Sequence, residues 1–465
     1  MSTLLKVRRL FIVGMAVSFT VAQNAAAQTG GASAQETVLD AYIHEAFASN
    51  QGLRQQNFQL EKSLYALDEA RSLFLPNVSL QGSYTKAAGG RTIDVPVGDL
   101  LNGVYATLNQ LTGAHNFPHL ENQSFLLNPD NFYDVHLHTT LPLVDVELYY
   151  NRRIKQQLIT TQQAAVNVYK RQLVKDIKTA YFQYFQAIQA EKIYDAALDL
   201  VSENIRVNQS LLANGVRNST ALTRSMSEQK HTQALRIQAE TDAKNAQAYF
   251  NFLLNRPSTT DVTLDSAAFA QPAPFDTTGT GIGNREELQQ WRSLNEANTL
   301  DLQLEKSYLI PQVSTFLDLG SQGTGTIDDK SRYYFWGVSL QWNLFAGGQH
   351  TARSRQAAAE EKTTQAGYEE TERALQLQLD QSFNNYHSAV EMFRSAQSQL
   401  SFAQKYYNDQ ARAYREGQLL FVELLDAQNQ LTQARLEMAQ AGAGVQISLA
   451  GLERDQATYP LNHKS

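Results

Sequence analysis

The stretch that most constrains this chain runs from Thr351 to Tyr414. It contains no proline and a single glycine, Gly367. Ala, Gln, Glu, Arg and Leu dominate it, and all are strong helix formers. Leu379, Phe383, Tyr386, Val390 and Phe393 step by four and three, and Ala396, Leu400, Ala403 and Tyr407 keep a similar spacing. This is coiled-coil spacing. A helix of about 65 residues spans roughly 100 Å, far more than a small compact domain needs. Just before it, Trp336, Val338, Leu340, Trp342 and Leu344 alternate with Gly337, Ser339, Gln341 and Asn343. A period of two marks a strand. Phe345-Ala-Gly-Gly348 breaks the strand before the helix begins. Any fold must therefore join an amphipathic strand to a very long helix.

The same plan occurs earlier in the chain. Thr37 to Ser72 reads as two helical pieces, interrupted at Asn50-Gln51-Gly52. Strands are expected from about Val78 to Thr85 and from Phe132 to Leu143, and residues 87–130 between them show no clear period. A long helix from Val146 to Leu212 carries the seam Leu173, Ile177, Ala180, Tyr184 and Ala187. Asn214-Gly215 ends it as a C-cap would. Ser219 or Thr220 can cap the next helix, which Pro257 stops. After a Pro-, Thr- and Gly-rich stretch, a helix over Arg285–Lys306 and a strand over Gln312–Leu319 lead into the opening segment. Glu416-Gly417 then turns into a last helix over Phe421–Gln456, with the seam Ala427, Leu431, Ala434, Met438 and Ala441. Leu75-Pro-Asn-Val-Ser79 echoes Ile310-Pro-Gln-Val-Ser314, and Gly215 matches Gly417. The chain is a repeat. Its expected parts are a signal peptide over 1–27, a first repeat over 28–255, a linker over 256–283, a second repeat over 284–456 and a tail over 457–465.

Lys6, Arg8 and Arg9, the apolar run Leu10–Val21 and Ala25-Ala26-Ala27 make a cleaved secretory signal. The net charge of −7 argues against a nucleic-acid partner. The absence of cysteine excludes disulfides and thiolate chemistry. After the signal, no apolar run reaches the length of a spanning helix, so entry into a membrane would have to be by strands. Strands of about ten residues with one apolar and one polar face suit a membrane barrel. Tyr84, Tyr133, Trp336 and Trp342 suit its interfaces. An ordinary half-buried antiparallel sheet has the same alternation, so the strands alone leave both readings open. The signal, the lengths and the repeat favour the barrel. Four strands cannot close one with a useful bore, and open edges are not tolerated in lipid. Three chains would supply twelve strands and a ring of helices.

The chain resembles the TolC-like outer-membrane efflux proteins. Leu75-Pro76 and Ile310-Pro311 before strands, the run Trp336–Gly348, Tyr414-Arg-Glu-Gly417 and Glu423-Leu-Leu-Asp-Ala-Gln428 carry the resemblance, which spans about Glu36 to Asp455. It implies a mixed fold: a trimeric, 12-stranded transmembrane β-barrel that continues into a periplasmic α-helical barrel. It implies a homotrimer in outer-membrane lipid, joined through a periplasmic adaptor to an inner-membrane pump. The tips around Asn214, Gly215, Val216, Glu416, Gly417 and Leu419 would dock the adaptor. Glu423 and Asp426 would line the periplasmic constriction as a cation-attracting ring, and Tyr414 would help latch it. The family's acidic latch partner is Ala221 here, and its basic residue after the second glycine is Gln418. The closed state is therefore expected to be held differently.

No nucleophile motif, phosphate loop or metal signature accompanies this plan. Neither an enzyme nor a cofactor is expected. His136 and His138 share a strand face, and a polar lumen face is the simpler reading of them than metal ligation. His115 and His119 read the same way. The function implied is an outer-membrane channel for drugs, metals or proteins, including type I secretion. The alternative is a secreted coiled-coil scaffold without a pore.

Overall fold

A computed structural model describes residues 37–128, 130–216, 218–265, 281–326 and 331–461. The expected signal over 1–27 and residues 266–280 of the expected linker lie outside these. The elements run α1 (Val38–Ser49), α2 (Gln51–Ser72), β1 (Asn77–Thr85), β2 (Thr92–Val95), α3 (Val97–Thr112), β3 (Gln123–Leu126), β4 (Phe132–Val144) and α4 (Val146–Ala213). They continue α5 (Ser219–Leu253), α6 (Glu286–Lys306), β5 (Gln312–Thr324), β6 (Arg332–Gln341), α7 (Gln349–Arg415) and α8 (Phe421–Gln456).

Local chemistry sets the boundaries. Asn50 separates α1 from α2. Its side chain accepts from Leu53 N at 2.9 Å and donates to Leu253 O at 2.9 Å. Asp145 caps α4 by accepting from Leu148 N at 3.2 Å. Asn218, rather than the expected Ser219 or Thr220, caps α5 through Thr220 N at 3.2 Å. Asn is as good a cap as Ser and better than Thr, and the helix starts one residue earlier for it. Gly347 and Gly348, at φ 57° and 83°, make the left-handed corner that starts α7.

The main sheet is antiparallel in the order β1-β4-β5-β6, so β1 and β6 are both edges. Its register sets apolar side chains in one row and, across β1, β4 and β5, polar ones in the next. One row runs Leu80, Leu137, Leu319, Tyr334; the next, on the opposite face, runs Ser79, His138, Asp318, Phe335. Leu80, Leu137, Leu319, Tyr334, Trp336, Val338 and Leu340 are all exposed. His136, His138, Asp134 and Asp318 are half-buried. The polarity is thus the reverse of a sheet on a water-soluble core, which hides its apolar face. β5 runs five residues past the expected Leu319, because Gly320 fits where a side chain would not. A Cβ there would lie 2.5 Å from Val135 O.

Residues 86–131 hold more order than expected. β2 and β3 pair as a small antiparallel sheet around α3. Leu100, Val104, Leu108 and Leu111 step by four and three, and Gly113 ends α3 in the left-handed conformation. That period was present in the sequence, under a high density of Gly and Asn.

The long helices form two hairpins, α4–α5 and α7–α8. The hairpins meet where α4 packs on α8, and α6 packs on both α4 and α7. The α7 seam residues Leu379, Tyr386 and Phe393 bury against Val445 and Leu452 of α8. Leu173, Ile177 and Ala180 of α4 bury with Ile43, Leu53, Phe250 and Leu254. The heptad seams therefore close hairpins and neighbouring helices within one chain. Among the described residues, no helix is long and apolar enough to cross a membrane.

Ion pairs lock the start of α6 to the end of α8. Arg285 is buried and bridges Glu287 at 2.7 Å and Asp455 at 3.3 Å. Arg454 reaches the same two carboxylates, and Ser382 donates to Asp455 at 2.5 Å. Burial opposes ionisation of Glu287, but the hydrogen bonds and charge of Arg285, with Arg454, hold its carboxyl below the usual range. Arg171 of α4 grips Glu286 with two guanidinium nitrogens, at 2.6 Å each.

Candidate functional site

Both hairpin tips are closed by the same hydrogen-bond pattern. At the first, Val216 N donates to Leu211 O at 2.9 Å and Gly215 N to Leu212 O at 3.0 Å. At the second, Gln418 N donates to Ala413 O at 3.0 Å and Gly417 N to Tyr414 O at 3.0 Å. These paired 6→1 and 5→2 bonds form the Schellman motif, which needs a left-handed residue after the cap. Gly215 and Gly417 supply it at φ 71° and 75°. Asn214 caps α4 and Glu416 caps α7. Val216 stands exposed, and so do Leu420 and Val422. Leu419 turns inward and packs on the buried cluster of Tyr414, Phe421, Leu424 and Leu425. The exposed apolar knob of the second tip is Leu420.

Tyr414 is 1% exposed. Its hydroxyl donates to Asn208 Oδ1 on α4. Asn208 in turn donates to Ser225 Oγ at 2.6 Å, and Ser225 donates to Ala221 O at 2.8 Å. One turn along α4, Asn204 donates to Gln428 Oε1 at 2.6 Å. Two buried polar bridges therefore tie the hairpins together inside one chain. Buried polar groups must be satisfied, which makes such bridges selective for one alignment. Where the resemblance led to a missing partner at Ala221, the structure puts Asn208. Ala197, Val201, Asn204 and Asn208 continue one buried stripe of α4, so two asparagines at apolar seam positions were the signal. Burial also pushes the Tyr407 phenol up, against the opposing charges of Arg415 and Arg435. It sits beside Tyr414 as a neutral ring.

Glu423 and Asp426 lie on the exposed face at the start of α8, whereas Leu424, Leu425, Ala427 and Gln428 are buried. Glu423 Oε2 accepts from Leu420 N at 3.1 Å, and Asp426 accepts from Gln430 Nε2 at 2.7 Å. The Glu423 carboxylate thus also terminates its own helix, where negative charge is favoured.

At the sheet, Tyr84, Trp336 and Trp342 are exposed. Trp342 falls just beyond β6. Tyr133 differs from these three in being buried. It is 5% exposed, with its hydroxyl 3.2 Å from Ser321 Oγ and its ring beside Gly323. The missing side chain at Gly323 makes the space. On the polar face, His138 Nδ1 lies 2.5 Å from Asp318 Oδ1, and His136 Nδ1 lies 3.1 Å from Asp134 Oδ1. Tyr333 donates to Asp134 at 2.9 Å. Asp318 reaches the histidines from β5, 180 residues on from His138, which is why sequence spacing could not supply it.

A four-stranded sheet with an outward apolar face, carried on long helical hairpins, is a fold that solved outer-membrane channels share. Residues 281–454 match the family model described as Outer membrane efflux protein. The chain is 21% identical over 437 residues to the Outer membrane protein TolC of Escherichia coli (strain K12), covering 88% of this chain and 80% of TolC. It is 22% identical over 322 residues to the Proteases secretion protein PrtF of Dickeya chrysanthemi, covering 64% of this chain and 67% of PrtF. It superimposes on the outer-membrane channel OprN with a TM-score of 0.72 at 20% identity, over 90% of this chain and 89% of OprN. Residues 281–454 thus carry the outer membrane efflux protein family's pattern, and the chain is similar to TolC over most of its length. TolC and OprN are both outer-membrane proteins.

Proposed function

We propose that three copies of this chain share one 12-stranded barrel, continue it as a periplasmic helical barrel, and form the exit duct of a tripartite efflux or secretion system. The observation that carries this is the reversed polarity of the sheet. Its apolar face is exposed, and both its edges, β1 and β6, are unpaired. In lipid the apolar face is satisfied, and only pairing with further chains removes the edges. A scaffold in water has no use for that face. The cargo is small molecules or proteins handed over by an inner-membrane pump, and the pump selects among drugs, metals and polypeptides.

The tips formed by Asn214, Gly215, Val216, Glu416 and Gly417 take a periplasmic adaptor, with Leu419 holding the second tip from within. Three copies of Glu423 and Asp426 ring the periplasmic constriction and favour cations, and Tyr414 helps to hold it closed. The division into a signal, two repeats, a linker and a tail follows the same reading. In planar-bilayer recordings, replacing Glu423 and Asp426 by Ala should weaken block by multivalent cations. Unchanged block contradicts the assignment of the constriction. Deleting the gene and scoring drug, metal and secretion phenotypes separately identifies the cargo class.

A further inference from the structure

The polar face of the sheet holds a group of side chains that the channel reading does not use. One ring nitrogen from each of His136 and His138 and one carboxylate oxygen of Asp318 all lie within 4.8 Å of one another. We propose that these three residues bind a divalent transition-metal ion of the Zn²⁺ type. Two imidazoles and a carboxylate suit a borderline-soft ion and do not suit Mg²⁺ or Ca²⁺, which take all-oxygen shells. Bonds of about 2.0–2.2 Å put tetrahedral ligand atoms roughly 3.4 Å apart. To reach that value the 2.5 Å separation of His138 and Asp318 opens and the wider separations, at most 4.8 Å, close.

The surroundings hold the ligands in place. His138 and Asp318 are cross-strand partners in the β4–β5 register, and His136 sits opposite Gly320. A Cβ at Gly320 would lie 2.5 Å from that of His136, so the glycine clears the space beside the ring. Asp134, which also accepts from Tyr333, sits against His136 Nδ1. This carboxylate–histidine arrangement is the usual outer support of a metal-binding imidazole. Phe316 stacks on His138 with centroids 6.5 Å apart, which limits ring rotation. Three protein ligands leave a fourth position open to water or to a passing ligand. All three come from one chain, so the site is independent of how many chains share the barrel.

The test is equilibrium dialysis of Zn²⁺ against the untagged protein in mild detergent, followed by X-ray absorption at the zinc edge. The expected result is one saturable Zn²⁺ per chain with two imidazoles in its shell. Affinity should fall at least tenfold in His138→Ala and in the near-isosteric Asp318→Asn. It should hold in His115→Ala/His119→Ala, which removes the loop histidines. Failure of the wild type to bind saturably overturns the proposal. So does a shell without imidazole, or undiminished affinity in Asp318→Asn. If His138→Ala does not assemble, the wild-type absorption spectrum and Asp318→Asn decide the matter by themselves.

Discussion

Single residues decide which alignment of the hairpins is held. Tyr414 is the plainest case. Its hydroxyl satisfies Asn208 in a place water does not reach, since Asn208 is also 1% exposed. Tyr414→Phe keeps the ring and leaves the Asn208 oxygen without this donor, at a cost of about 1–3 kcal/mol. Thermal unfolding should record the loss, and single-channel recordings should show more frequent or larger openings. A variant with wild-type melting and conductance would contradict the role given to this bond. The tyrosine was legible from its place in Tyr414-Arg-Glu-Gly417. Its partner was not, because Asn208 is 206 residues away and only the packing of α4 on α8 brings them together. The same holds for Asp318 beside His138. The burial of Tyr133 was hidden for a related reason. Alternation assigns a face but cannot say that Gly323 on the neighbouring strand leaves a slot into which the ring folds.

At the scale of elements, the helices were the most legible part. Their seams repeat over many turns, and α8 runs over Phe421–Gln456 as the spacing predicted. Short elements carry less periodic signal. α3 was hidden by its glycines and asparagines, and β2 and β3 are four residues each, too short for a period of two to stand out. The end of β5 was misplaced because Gly320 and Gly323 resemble turn residues. In a sheet, glycine instead marks close approach of backbone or side chain. Gly320→Ala therefore tests the β4–β5 register directly. Its Cβ would meet both Val135 O and the His136 side chain, so the strands must separate locally. Overpacking of this kind costs on the order of 1–3 kcal/mol. Faster amide exchange along β4 and β5 is expected. Exchange equal to wild type would mean that the register is not as described.

Across the whole molecule, ion pairs fasten the first helix of the second repeat to its last, and Arg171 of the first repeat grips Glu286 beside them. Arg285 and Glu287 begin α6, while Arg454 and Asp455 end α8. Glu287 has its carboxyl pKa depressed by these arginines, against the cost of burial. A group whose folded pKa is lowered contributes stability above its ordinary pKa of about 4.5 and loses it as the pH falls through the folded value. Melting midpoints should therefore drop below about pH 4.5. Glu287→Gln should melt lower at pH 7, by about 1.5–3 kcal/mol for a hydrogen bond to a charged group, and lose less on acidification. An identical pH dependence in the variant would assign the acid sensitivity elsewhere.

In the proposed trimer each sheet is a third of a shared membrane barrel: one chain supplies four strands, two open edges and an apolar outer face. The most direct measurement is the mass of the particle purified from an outer-membrane fraction in mild detergent. Three chains per particle is the predicted result. A monomer, or protein recovered only from the soluble periplasm, would contradict it.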